Sequence, residues 1–104
     1  MALTKVKTGF IDDTIAVGIP TATVTSNANA TANTHHFVNA AGVTLTLPTP
    51  TVGMKVHVTV GSSTNTTIAR NSSTIAGLSE DLVIDVANLS VGLIGTSTSS
   101  WVLI

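Results

Sequence analysis

The sequence has no cysteine, no run of apolar residues long enough to span a bilayer, and only three aromatics, Phe10, Phe37 and Trp101. Each shortage removes a class of answer. Without thiols there can be neither disulfides nor thiolate metal sites. No stretch nears the 18 or so apolar residues of a membrane helix, and Asp12 and Asp13 interrupt any leader-like run after Lys5 and Lys7, so no Sec-type export signal is expected. Charged residues make up only 9% of the chain, with a net charge of −1. Lys5, Lys7, Lys55 and Arg70 are too few and too scattered to form the basic patch that phosphate backbones or anionic lipids require. Neither nucleic acid nor membrane is therefore expected as a partner.

What is present is small and β-branched. The 104 residues include nineteen Thr, ten Ser and seven Asn, and 43% are hydrophobic. High hydrophobicity with low charge is the opposite of a disordered composition, and the length allows one domain with one core. That core is built mainly from Val, Ile, Leu and Ala, which bury little area per residue, so association with copies of itself or with a larger assembly is expected to add stability.

Period-2 patterning is plentiful, and no segment shows a helical period. Val43–Leu47 alternates apolar and polar without a break, and Met54–Val60 does the same, placing Met54, Val56, Val58 and Val60 on one face. Further strands are expected at Thr14–Val17, Thr21–Thr25, His36–Val38, Thr66–Ala69, Leu82–Val86, Ser90–Ile94 and Trp101–Ile104. Turn residues lie between them at Pro48–Gly53, Gly61–Asn65, Gly77–Ser79 and Gly95–Ser99. This spacing predicts an all-β chain: a small antiparallel β-sandwich or jelly-roll-like domain over residues 14–104, with a polar surface loop at 26–34. Residues 1–13 fit neither period and are more apolar than a linker. They are read as an extended N-terminal arm that docks on a partner through Leu3, Val6, Phe10 and Ile11, or else folds back on its own domain.

No catalytic, cofactor or metal site is expected. His35 and His36 are neighbours on a strand and point to opposite faces, so they cannot chelate one ion together. His57 falls on the polar face of its strand. Asp12–Asp13 and Glu80–Asp81 with Asp85 read as solvated turn and edge charges, which also discourage stray sheet pairing. No nucleophile elbow or phosphate loop occurs, and the triplets beginning at Asn29, Asn65, Asn71 and Asn88 arise readily by chance in so Asn-, Ser- and Thr-rich a chain. Arg70 and Trp101 are the large residues that could anchor an interface; the alternatives are a brace for the following turn and a core position.

Three stretches carry a resemblance. Val43–Pro48 is followed by Pro50–Gly53 and the strand Lys55–Val60; Thr67–Asn71 is followed by Thr74–Gly77 and Ser79–Asp85; Ser90–Ile94 leads through small residues into Trp101–Ile104. Together they resemble a β-module of tailed-bacteriophage structural proteins, found in tail fibres and small head proteins, and the opening Met1–Val6 resembles the starts of short phage virion proteins. The resemblance covers about two-thirds of the chain and contains no catalytic signature. It implies a homotrimeric or otherwise symmetric virion component. Because the module is nearly the whole chain, a capsid decoration (cement) protein on the outer head surface, bound to the major capsid protein, is expected first. A short tail fibre or baseplate appendage is second, and a glycan-binding module for host attachment third.

Overall fold

The computed structural model describes residues 19–61 and 65–104, and among them there is no helix. Ten strands follow in chain order: β1 Thr21–Val24, β2 Ala28–Asn29, β3 Thr34–Val38, β4 Thr44–Thr46, β5 Lys55–Val60, β6 Thr66–Ala69, β7 Thr74–Ile75, β8 Leu82–Ile84, β9 Ser90–Ser97 and β10 Ser100–Leu103. They form two sheets, a larger one ordered β1-β3-β5-β9-β10-β7 and a smaller one ordered β2-β4-β6-β8.

The strands expected from alternation are present wherever the residues are described, but the sheets are mixed, not antiparallel. From β1 to β6 the chain passes back and forth between the sheets, so each strand lies parallel to the one two before it. Only β5–β9, β9–β10 and β6–β8 are antiparallel, while β7 joins β10 in parallel. Parallel neighbours need a crossover, and here the crossover is a strand of the opposite sheet. A jelly roll is antiparallel throughout, so that part of the expectation gives way to a two-sheet winding. Alternation fixes which face of a strand is buried; it does not say in which sheet the next strand lies.

One core joins the sheets. Val56, Val58 and Val60 on β5 and Leu93 and Trp101 on the larger sheet share a single buried cluster with Leu45, Ile68 and Ile84 from the smaller one. This two-layer packing is what the sandwich expectation required.

The expected loop at 26–34 is instead a corner holding β2, with Ala30 buried and β3 beginning at Thr34. Its strand is invisible to hydrophobic patterning because both β2 residues are exposed and the pairing to β4 is made by backbone alone. β9 likewise runs through Gly95 to Ser97, shortening the expected turn there. Residues 1–13 and the expected strand Thr14–Val17 lie outside the described residues.

The asparagines explain how the corners close. Asn33, Asn65, Asn71 and Asn88 have positive φ, between 52° and 64°, a conformation that Asn tolerates better than other side chains. Three asparagines, two of them among these, also stitch successive windings together. Asn27 Oδ1 accepts the Thr44 N–H at 2.8 Å, Asn33 Oδ1 accepts the Lys55 N–H at 3.1 Å, and Asn71 Nδ2 donates to the Leu47 carbonyl at 3.0 Å.

Candidate interaction surfaces

Two surfaces stand out. The first is the outward face of the larger sheet. Parallel, in-register pairing sets His35 of β3 beside His57 of β5, and His57 opposite Gly92 of β9. The next outward row is Phe37, Thr59 and Ser90. The His35 ring stacks on Phe37 with centroids 4.7 Å apart and planes 8° from parallel, and lies 5.5 Å from the His57 ring. His35 Nε2 is 2.7 Å from Thr59 Oγ1, which is in turn 2.7 Å from Ser90 Oγ. Gly92 leaves room for His57, since a Cβ there would lie 3.1 Å from the imidazole.

His36 points the other way and is buried. Its Nε2 accepts the Thr31 N–H at 3.0 Å, so the ring proton sits on Nδ1 and is donated to the His57 carbonyl at 3.1 Å. Both nitrogens are thus committed to backbone groups, one in the corner before β3 and one on β5. His35 and His36 lie on opposite faces, as the strand period requires, and among the described residues no group of three or more His or acidic side chains is placed to hold a metal ion. The His35–Thr59 contact pairs an imidazole with a hydroxyl, but no hydrogen bond among the described residues puts a carboxylate behind that imidazole.

Burial, then the nearby charges of His57 and His36, hold the His35 pKa below its usual 6.5. In the unfolded chain His35 takes up its proton at the higher pH, so stability is full above about pH 6.5 and falls as the pH drops through that value toward the lower folded one. The melting temperature is expected to fall between about pH 7.5 and pH 5. In a His35→Phe variant, which keeps the stack on Phe37, it should fall less. Equal slopes for the two proteins in calorimetry would remove His35 from this account.

The second surface is where the larger sheet outlasts the smaller. Leu103 of β10 pairs with Leu93 of β9, which pairs with Val56 of β5. Val56 and Leu93 are fully buried on the inner face, but Leu103, which continues their row, is 46% exposed because no described strand of the smaller sheet lies beyond β8 to cover it. A groove of about 240 Å³ opens here, lined by Ile75, Leu78, Leu82 and Leu103, with Glu80 and Asp81 contributing acidic groups to its wall. A tight turn presents Leu78: Ile75 and Leu78 exchange backbone hydrogen bonds of 3.0 and 2.9 Å, Ala76 and Gly77 have φ of 52° and 79°, and the Ala76 N–H is anchored on the Trp101 carbonyl at 2.9 Å.

Of the residues singled out from sequence, Leu3, Val6, Phe10 and Ile11 lie outside the described residues. Trp101 is 0% exposed; it takes the core position, with no surface of its own to offer a partner. Arg70 takes the bracing role: its Nη1 donates to the Ser73 carbonyl at 3.1 Å, and its backbone N–H donates to Asp81 Oδ1 at 3.0 Å. The two are not brought together into one patch. The groove residues carry no distinguishing signal in the sequence: Leu78 reads as part of a turn, and Leu82 and Leu103 as strand residues.

No protein-family model matches the chain, and no curated protein matches its sequence.

Proposed function

We propose that this chain is a structural protein of a tailed-phage virion, a capsid decoration protein that binds as a symmetric oligomer across neighbouring major capsid subunits. The observation that carries the reading is the uncovered end of the sandwich. There a row of core side chains runs out into solvent at Leu103, beside an exposed Leu78 and around a groove that Ile75 and Leu82 also line. A contiguous exposed apolar patch marks a place where another chain sits. The resemblance of the segments within residues 43–104 to phage β-modules supports the virion setting. The mechanism is linkage: a protein that binds only the assembled shell shifts the equilibrium against disassembly, and many copies on one particle add avidity.

A short tail appendage that touches host glycans is the second reading, favoured by the His35–Phe37 stack, whose Phe37 is 42% exposed beside hydroxyl-bearing Thr59. Antibody labelling of intact particles, together with copy number per particle, separates the two. Label over the whole head at shell-scale copy number is the expected result. Label confined to the tail would replace the decoration reading with the appendage, and absence from purified particles would end both.

A further inference from the structure

We infer that the pocket lined by Ile19, Asn33, Lys55 and His57 binds the carboxylate of an acidic saccharide, whose further sugar units lie along the outward face of the larger sheet toward Phe37. This names the ligand class for the glycan contact of the second reading above and rests on that contact, whatever the protein's place in the particle.

The pocket, about 220 Å³ in volume, is furnished with hydrogen-bond donors. Asn33 Oδ1 is taken by the Lys55 N–H at 3.1 Å, which fixes the amide and leaves its two Nδ2 hydrogens without a partner among the described residues. Lys55 is exposed, and its ammonium makes no ion pair among the described residues. The His57 imidazole carries an N–H in either charge state. Against these stands no acidic side chain: the described acids, Glu80, Asp81 and Asp85, flank β8 in the smaller sheet. Donors around a fixed positive charge, with no acid of their own to satisfy them, recognise an anion. One full charge suits a singly charged group, and a carboxylate accepts from several donors at once.

What lies beyond the pocket favours a saccharide over an acidic peptide. β3 and β5 are interior strands in the order β1-β3-β5-β9, so their backbone groups are paired on both sides and offer no template for an added peptide strand. Side chains must make the contact. His57 leads to His35, whose ring stacks on Phe37 at 4.7 Å, and Phe37 is half exposed. In the same row as Phe37, Thr59 and Ser90 carry hydroxyls 2.7 Å apart. A sugar presents the matching pair of chemistries, an apolar C–H face and a rim of hydroxyls. Lys55 and Thr59 lie on one strand with their rows about 13 Å apart, a distance that an oligosaccharide covers and a single sugar does not.

The test titrates trigalacturonate, and separately its uncharged trimethyl ester, into full-length ¹⁵N-labelled protein and follows the amide signals. The acid is expected to move the signals of Asn33, Lys55 and His57 and to bind about tenfold more tightly than the ester, the worth of one charge-assisted hydrogen bond. Lys55→Gln, at an exposed position, should lower the affinity for the acid by about the same factor, and Lys55→Arg should keep it. Phe37→Ala should weaken trigalacturonate but leave the galacturonate monomer unchanged, since the monomer reaches only the pocket. Equal binding of acid and ester, or indifference to Lys55→Gln, would overturn the inference while leaving the glycan contact standing; binding of neither would end both. Triglutamate binding as tightly as trigalacturonate would replace the saccharide with an acidic peptide.

Discussion

Trp101→Ala is expected to lower the unfolding free energy by about 3–5 kcal/mol, the range for removing a buried Trp or Phe side chain. A domain of this length has roughly 5–15 kcal/mol to lose, so the variant should be poorly folded at 37 °C or nearly so. The reason is position. Trp101 is 0% exposed and sits on β10 between Gly95 of β9 and Ile75 of β7, where it is the bulkiest of the fully buried side chains. The rest of that cluster is Val, Leu, Ile and Ala, and such short side chains have little reach with which to close the space an indole leaves. A second substitution makes the expectation sharper. The indole N–H of Trp101 is buried and has no hydrogen-bond partner, which costs part of what its burial provides. Trp101→Phe removes that orphan donor and keeps most of the apolar volume, so it should cost about 1–2 kcal/mol, well under half the alanine effect. Urea titrations followed by far-ultraviolet circular dichroism give both values. An alanine variant within about 1 kcal/mol of the parent would mean that Trp101 is not in the core.

How much of this can be read from the residues depends on the range of the interaction. β4, β5 and β6 are legible because alternation is a property of consecutive residues, and Lys55–Val60 buries every second side chain as a strand with one wet face must. Strand direction is not legible, since it depends on whether the chain turns back in its own sheet or crosses to the other. The His35–His57 neighbourhood is hidden for the same reason: their register is set by the length of the winding between them. Asn27, Asn33 and Asn71 look like generic loop residues because their partners Thr44, Lys55 and Leu47 lie on a neighbouring winding. The groove arises from unequal sheet sizes, which no local pattern encodes. Trp101 in a final strand reads first as a core residue and only second as an anchor, and between β7 and β9 it is fully buried.

Unequal sheets also leave the two ends of the molecule differently covered. At β5 and β6 both layers are present, and Val58 and Ile68 are fully buried. Two strands further along the larger sheet, the inner face has lost its cover at Leu103 while Trp101 beneath the turn remains sealed. The turn from Ile75 to Leu78 is what seals it, holding Ala76 in a left-handed conformation that an L-residue with a Cβ adopts at a cost of about 1 kcal/mol. A glycine-bearing turn of fixed shape thus protects the core and displays Leu78 at the same time. Substitutions that loosen the turn should therefore cost stability, while a substitution at the exposed Leu78 side chain alone should cost little.

Gly95→Ala is expected to be the most damaging single-methyl addition in the described part of the chain. A Cβ at Gly95 would fall far inside the van der Waals contact distance of the Thr51 carbonyl oxygen and within 3.2 Å of Pro50 Cβ. The obstacle is backbone, and it is held in place from both sides: the Gly53 N–H donates to the Gly95 carbonyl at 2.9 Å, and the Gly95 N–H donates to the Met54 carbonyl at 2.8 Å. The turn over residues 51–54 cannot retreat from β9 without breaking those bonds. Overpacking against a side chain costs about 1–3 kcal/mol; with two backbone hydrogen bonds also at risk, more than about 3 kcal/mol is expected. For a domain of this size that corresponds to a fall in melting temperature of roughly 12–24 °C. Gly53→Ala supplies the contrast. Gly53 has a φ of 86°, and a methyl group added there would meet nothing within 4 Å, so only the left-handed penalty of about 1–2 kcal/mol applies. Thermal melts of the two variants side by side read the difference. If they lose the same stability, the turn over residues 51–54 does not press on β9, and the close approach at Gly95 is not what joins it to the larger sheet.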